Sequence, residues 1–226
     1  MSAIARPVRP RIAPRASRSC ITLLCCTLIS TAVAGETKPS SALVKRLMLP
    51  TPAITPFVEV RYSALLTRPM VASGELEYRG PGSLSKRILS PYREQQVIDG
   101  DQVTVQRDGE KTRRFSLKRT PELRGMLDSL GSLLAGDADA LARTFIVTID
   151  EDEAGWTLHL APRSERAQQH LREILVTGRN DKPDCFVTSE PDGDASFLLL
   201  GASSEMQLPD PPPRAWAEEY CRAPHN

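Results

Sequence analysis

The chain has 226 residues, of which 40% are hydrophobic, 25% are charged and only 5% are aromatic, and its formal net charge is +1. This length and apolar fraction support a folded core, and they exclude a disulfide mini-protein, a collagen-like repeat and a wholly disordered chain. The small net charge conceals an uneven distribution, because five arginines and no acidic residue fall within the first 19 residues.

The N-terminus has the pattern of a secretory signal. Its basic segment is followed by the uncharged run 20–33, which ends in small residues that suit cleavage after Ala34. An uncleaved anchor is the less favoured alternative, because the run is shorter than the roughly 20 apolar residues that span a bilayer. Lipidation of Cys25 or Cys26 is rejected, since neither cysteine follows a small residue. We therefore predict a signal peptide over 1–34.

The mature chain has a different charge and few cysteines. Removal of residues 1–34 takes away five arginines and no acidic residue. The mature chain therefore keeps 24 basic and 28 acidic residues, and its formal charge is −4. A mildly acidic chain without a basic patch is not expected to bind nucleic acid. Cys185 and Cys221 are the two remaining cysteines, and an even number in an exported protein favours a disulfide over two free thiols.

The first half of the mature chain reads as a helix followed by strands. Leucines at helical spacing predict a short amphipathic helix over 42–49, which Pro50 terminates. From Phe57 onward, apolar and polar residues alternate, as in half-buried antiparallel strands. Asp-Gly pairs, which supply the positive φ of tight hairpin turns, separate such runs at 99–100, 108–109 and 192–193.

A helical segment interrupts the strands. Thr120 and Pro121 suit a helix start, and leucines at helical spacing continue to Leu134, after which Gly136 suits a C-cap and Asp137 can cap a second short helix. Strand patterns then resume up to position 200. A proline-rich strap from about 208 is expected to return to the body of the protein, so that 35–226 forms one domain.

No motif in the chain proposes an enzyme. The histidines at 159, 170 and 225 are too scattered for a compact metal motif, and there is no phosphate-binding loop, nucleophile elbow or Cys-x-x-Cys. The acidic run 150–153 lies between two strand patterns and is read as a solvated turn. We therefore predict no catalytic residue, no metal site and no cofactor.

The stretch 57–101 resembles the LolA-like outer-membrane lipoprotein carriers. The resemblance lies in the order of its motifs, namely Gly74-Glu75-Leu76 on one strand, turn prolines at 81 and 91, and Asp99-Gly100 at a strand end. The leucine-rich segment 133–137 also resembles the helices that interrupt the sheet in this family. The likeness extends over about residues 42–200.

Membership of this family would imply both a fold and a location. The fold is mainly antiparallel β with a few helices (α+β), an unclosed half-barrel whose concave apolar face is covered by a helical lid. Members work in the periplasm, where they carry acylated lipoproteins. The family's strand-end arginine, which helps to latch the lid, aligns with Gly80, and the adjacent Arg79 is the candidate latch.

The resemblance also implies roles for the apolar residues, whereas periodicity alone would allow them to form a dry core. The predicted lid residues are Leu43, Leu47, Leu127, Leu130 and Leu134. The predicted lining of a lipid-binding cavity is Val58, Val60, Tyr62, Leu76, Tyr78, Leu84, Ile88, Val103, Val105, Phe115 and Leu117.

The function that follows from the resemblance is a monomeric carrier of acyl chains. Its cargo is expected to be an acylated lipoprotein or another lipid, with an inner-membrane donor and an outer-membrane acceptor as partner proteins. The alternatives are a lipid-sensing domain and an accessory binding protein in an envelope lipid or pigment pathway.

Overall fold

The computed structural model describes residues 39–222. The predicted signal peptide over 1–34 and its cleavage site lie outside the described residues. Strands dominate the described chain, and helices occur at its start, in its middle and near its end. The strands are β1 Ala53–Tyr62, β2 Met70–Gly80, β3 Ser83–Ser90, β4 Glu94–Asp99, β5 Gln102–Arg107, β6 Arg113–Ser116, β7 Phe145–Glu151, β8 Trp156–Pro162, β9 Glu173–Arg179, β10 Lys182–Ser189 and β11 Ala195–Leu200. The helices are α1 Pro39–Arg46, α2 Pro121–Leu134, α3 Ala138–Thr144, α4 Glu165–Gln168 and α5 Arg214–Tyr220.

All these strands belong to one antiparallel sheet. Their order is β6-β5-β4-β3-β2-β1-β11-β10-β9-β8-β7, so that β6 and β7 are the two edges. The segment between these two strands contains α2 and α3, which therefore carry the chain from one edge of the sheet to the other. This architecture confirms the α+β prediction of an unclosed half-barrel with helices across one face.

The predicted turns and helix ends are largely confirmed. Each Asp-Gly pair joins two neighbouring antiparallel strands, and Gly100, for example, has a φ of 54°. α2 ends in a Schellman motif, in which the N–H of Gly136 donates to Leu133 and that of Asp137 donates to Ser132. The first helix begins and ends three residues earlier than predicted.

The sheet has an inner face, which packs against α1, α2 and α3, and an outer face, which packs against the C-terminal segment. Strand register assigns each residue to one of them. The inner cluster includes buried leucines of the helices together with side chains of β7, β8 and β9, among them Leu43, Leu47, Leu133, Leu141, Phe145, Leu158, Leu160 and Ile174. The outer cluster includes Val60, Val187, Phe197, Leu199, Ala217 and Cys221.

The C-terminal segment is fixed to the outer face. A disulfide joins Cys185 of β10 to Cys221, which confirms the predicted pairing. The Tyr62 hydroxyl donates to the carbonyl of Pro212 over 3.0 Å, and Pro212 is buried. After the proline-rich strap, α5 begins at Arg214 and brings Ala217 into the outer cluster.

Between residues 39 and 222, no helix has both the length and the apolar composition that a membrane span needs.

Candidate functional site

The two halves of the inner face differ in how tightly they are packed. On the half formed by β7, β8 and β9, side chains from α1 and α3 fill the space above the sheet, and Leu43, Leu141, Leu158 and Leu160 are each 0% exposed. This half of the inner face is therefore closely packed. On the half formed by β2 and β3, the helices leave a cavity.

The cavity has a volume of about 490 Å³, which lies within the range of roughly 300–1,000 Å³ that is typical of small-ligand sites. Strands β1, β2, β3 and β11 supply its walls, the end of α2 closes one side, and the β9–β10 turn forms part of its rim. The main apolar lining residues are Leu49, Ala53, Leu76, Tyr78, Leu84, Leu134, Pro183 and Leu200.

Register explains why these side chains meet. Leu76 and Tyr78 alternate along β2, and Tyr78 lies opposite Leu84 of β3, so the three share the inner face. Burial raises the pKa of the Tyr78 hydroxyl above its ordinary value of 10.0. A smaller adjoining pocket of about 20 Å³, beneath Leu127 and Leu134 of α2, shares Tyr78 and Leu84 with the cavity.

Contacts at both ends of α2 fix the position of this helix, whose last residue, Leu134, borders the cavity. Near its start, Arg124 forms an ion pair with Asp101 in the β4–β5 turn, and the Lys118 ammonium lies 3.5 Å from the same carboxylate. At its other end, the carbonyl of Leu134 accepts a hydrogen bond of 2.9 Å from the N–H of Leu49. The first attachment is a partly exposed ion pair, in which the Arg124 and Asp101 side chains are 45% and 26% exposed.

A charged pair also lies on the inner face, next to the cavity wall. Lys86 is the register partner of Leu76, and its ammonium donates to Glu59 over 2.6 Å while lying 5.1 Å from the centre of the Phe57 ring. Ser196 donates to the other oxygen of Glu59 over 2.7 Å. Burial by itself raises the pKa of Glu59, but the charge and hydrogen bond of Lys86, together with Ser196, outweigh it, so the pKa is lowered.

A second charged pair continues this polar strip. Arg107 of β5 donates to Glu94 of β4 over 2.8 Å, and the Glu94 side chain is only 5% exposed. The guanidinium also stacks over the Tyr92 ring at 4.4 Å. The inner face is therefore apolar at the end that holds the cavity and charged further along the same strands.

The structure brings together only part of the predicted cavity lining. Leu76, Tyr78 and Leu84 line the cavity, and Leu117 lines the pocket that adjoins it. The remaining inner-face residues of the predicted set lie outside the lining: Ile88 packs with Phe57, while Val103, Val105 and Phe115 are register neighbours on β5 and β6.

Three residues of the predicted lining are on the other side of the sheet. Val58, Val60 and Tyr62 face outward, where they pack with Phe197 and with Ala217 of α5. The prediction of an inward position for them is wrong, because the C-terminal segment covers the outer face with apolar side chains. Lipid binding by the inner-face residues remains a prediction.

The predicted lid residues divide in the same way. Leu134 lines the cavity and Leu127 lines the adjoining pocket. Leu43, Leu47 and Leu130 instead pack over β7, β8 and β9, within the filled half of the inner face.

Arg79, the candidate latch, is paired within its own strand. Its guanidinium donates two hydrogen bonds, of 2.7 and 2.8 Å, to Glu77 of the same strand, and this contact lowers the pKa of Glu77. Both side chains are on the outer face, since Tyr78 between them points inward. The contact that ties the lid to the sheet is made by Arg124 and Asp101.

Sequence reasoning missed several residues of the site. Thr55 and Leu200 line the cavity, as do Arg179 and Asp184 of the β9–β10 hairpin, which pair over 3.3 Å at its rim. On β1 the apolar alternation of Val58 and its neighbours was assigned to the inner face. Phe57 is a large aromatic residue at a position that this alternation assigns to the outer face. Its size indicates that Phe57 and the residues two positions away from it on β1 point inward.

Most of the chain matches a known protein family. The family described as outer membrane lipoprotein carrier protein LolA-like matches residues 32–211. The chain belongs to this family. The match confirms the resemblance that the sequence motifs suggested, and LolA-like proteins are carriers and binding proteins, typically periplasmic, rather than enzymes.

Several solved structures are similar to this LolA-like chain. A LolA superfamily protein from Nitrosomonas europaea is 10% identical, with a TM-score of 0.41, over 76% of this chain and 94% of that chain. The MucA/MucB complex of Pseudomonas aeruginosa gives 14% identity and a TM-score of 0.37, over 71% of this chain and 55% of that chain. LprF from Mycobacterium bovis is 11% identical, with a TM-score of 0.32, over 77% of this chain and 94% of that chain. No curated protein sequence matches the chain.

Proposed function

We propose that this protein is a periplasmic carrier that binds the acyl chains of lipoproteins or related lipids and transfers them toward the outer membrane. The observation that carries the proposal is the cavity of about 490 Å³ beside the C-terminal end of α2, on a face whose other half is tightly packed. Residues whose only role was to form a core would be expected to fill both halves.

The size and lining of the cavity suit reversible binding of an alkyl chain. Burying ten methylene groups contributes about 8 kcal/mol, and association costs at least about 4 kcal/mol of that. The remainder corresponds to a complex that forms readily and still dissociates, as a carrier requires. An inner-membrane donor and an outer-membrane acceptor remain part of the proposal.

Uptake of a fatty acid with a terminal fluorophore tests this assignment. Leu76→Glu and Leu84→Glu should each weaken uptake at least about tenfold, because the carboxylate must be desolvated against the alkyl chain. Leu76→Trp should weaken it by occupying part of the volume without adding charge.

Ile146→Glu is the matched control, since this residue is an exposed strand residue on the outer face of β7 and is 50% exposed. It should bind the fatty acid as the unaltered protein does. Circular dichroism establishes that each variant is folded. Undiminished uptake by folded Leu76→Glu and Leu84→Glu proteins would contradict the proposal.

A further inference from the structure

The edge of the sheet next to α2 has an unusual charge distribution. Residues 111–119, with the sequence KTRRFSLKR, contain five basic residues and no acidic residue. The segment forms the edge strand β6 and the 3₁₀ turn Leu117–Arg119 that leads to α2. The expectation that the mature chain lacks a basic patch is wrong here, because a count over the whole chain averages this segment with acidic ones.

Most of these cations have no acidic partner. Lys118 lies 3.5 Å from Asp101, and Glu110, which precedes the segment, accepts from Arg107 instead. The remaining four basic side chains are exposed, and none of them forms an ion pair within the part of the chain that the structure describes. They are Lys111, Arg113, Arg114 and Arg119.

These four residues surround the edge of the sheet. Arg113 lies opposite Val105 on the inner face, while Arg114 lies opposite Thr104 on the outer face, and the other two flank the strand. Between them, Phe115 is 44% exposed. Positive charge on both sides of one strand suits a flat anionic surface that is approached edge-on.

We propose that this β6 edge, defined by Lys111, Arg113, Arg114, Phe115 and Arg119, docks the protein on a bilayer surface that carries anionic lipid headgroups. Clustered basic residues bind such surfaces, each strengthening binding about fivefold, and aromatic rings favour the headgroup region. Because Arg119 lies two residues before α2 begins at Pro121, docking brings the start of this helix to the bilayer. The inference does not depend on the cargo of the cavity.

Co-sedimentation with vesicles tests the docking surface. The protein should bind vesicles of phosphatidylcholine and phosphatidylglycerol at 3:1 more tightly than pure phosphatidylcholine vesicles, and high salt should weaken this binding. The variant Lys111→Gln/Arg113→Gln/Arg114→Gln/Arg119→Gln should lose at least about 100-fold in affinity.

A matched control separates a local surface from overall charge. The variant Arg143→Gln/Arg172→Gln/Lys182→Gln/Arg222→Gln removes the same number of arginines and lysines from exposed positions outside β6, and it should lose no more than a few-fold. Equal losses in the two variants would overturn the proposal, as would equal binding to the two vesicle types. Binding to an acidic polypeptide without binding to anionic vesicles would also overturn it and would assign the edge to a protein partner.

Discussion

At the scale of single residues, the most informative feature is the charged pair on the inner face. Glu59 and Lys86 have side chains that are 15% and 23% exposed, so they have lost much of their hydration. Their hydrogen bond, Ser196 and the Phe57 ring compensate for that loss. The pair also explains why β1 carries polar residues toward the concave side, contrary to the usual apolar-inward pattern.

Removing the cation alone should therefore destabilise the fold. We expect Lys86→Met to lower the free energy of unfolding by about 2 kcal/mol, because Glu59 loses its cation and keeps only the hydrogen bond from Ser196. Urea denaturation at neutral pH measures this. The double variant Lys86→Met/Glu59→Gln should regain part of the loss, and Lys182→Met, at an exposed position, should cost little. A loss for Lys86→Met no larger than that of Lys182→Met would contradict this account.

The lowered pKa of Glu59 predicts a pH dependence with a definite sign. A carboxyl whose folded-state pKa lies below its ordinary value of 4.5 contributes stability that is fully present above that pH. This contribution is lost as the pH falls through the lowered pKa. The difference in unfolding free energy between the unaltered protein and Glu59→Gln should thus shrink on acidification, and a difference independent of pH would be inconsistent with the ion pair.

At the scale of secondary-structure elements, α2 borders both openings on the inner face, with Leu134 at the cavity and Leu127 at the adjoining pocket. Its C-terminal end is held by the backbone hydrogen bond between Leu49 and Leu134, whereas its start is held by the partly exposed Arg124–Asp101 pair. Exposed ion pairs contribute at most about 1 kcal/mol. The start of α2 is therefore the end that is expected to open first.

Weakening that contact should change the rate of exchange more than stability. Arg124→Gln is expected to release a bound fluorescent fatty acid up to about fivefold faster in stopped-flow measurements. Its free energy of unfolding should change by less than about 1 kcal/mol. Arg143→Gln, an exposed substitution on α3, is the control. Equal release rates for the two variants would show that Arg124 does not hold the helix closed.

The disulfide constrains a second element, the C-terminal segment. Cys185 and Cys221 are 36 positions apart, and closing a loop of this length stabilises the folded chain by about 4 kcal/mol in the chain-entropy description. The variant Cys185→Ala/Cys221→Ala should lose about that amount in urea denaturation. Reduction of the unaltered protein should have the same effect, while reductant should not change the variant. A loss below about 1 kcal/mol would contradict the predicted role of the bond.

At the scale of the whole molecule, the order of elements could be predicted from the sequence, but the assignment of faces could not. Asp-Gly turns and the leucine spacing of α2 are local signals, so the hairpins and the central helix were predicted near their observed positions. Alternation on β1 shows that every second residue is buried, but it does not show which part of the chain packs against these residues. The cover of Val58, Val60 and Tyr62 comes from α5 and the strap before it, about 150 residues later in the chain.

How closely each half of the inner face is packed also depends on the whole fold. Leu43 and Leu84 are both apolar and were both predicted to bound one cavity. Only the path of α1, α2 and α3 between the two sheet edges decides that the first is fully buried while the second borders open volume. Periodicity reports burial and carries no information on packing density.

The central claim is that the cavity lined by Leu76, Tyr78 and Leu84 holds a lipid chain. Native mass spectrometry of the protein purified from the envelope fraction of the cells that produce it tests this claim directly, with lipid extraction from the same sample. We predict a species heavier than the polypeptide, which releases an acyl-containing molecule on activation, and its loss in the Leu76→Glu variant. A bare polypeptide mass, with no lipid in the extract and no uptake of an added fatty acid, would contradict the account.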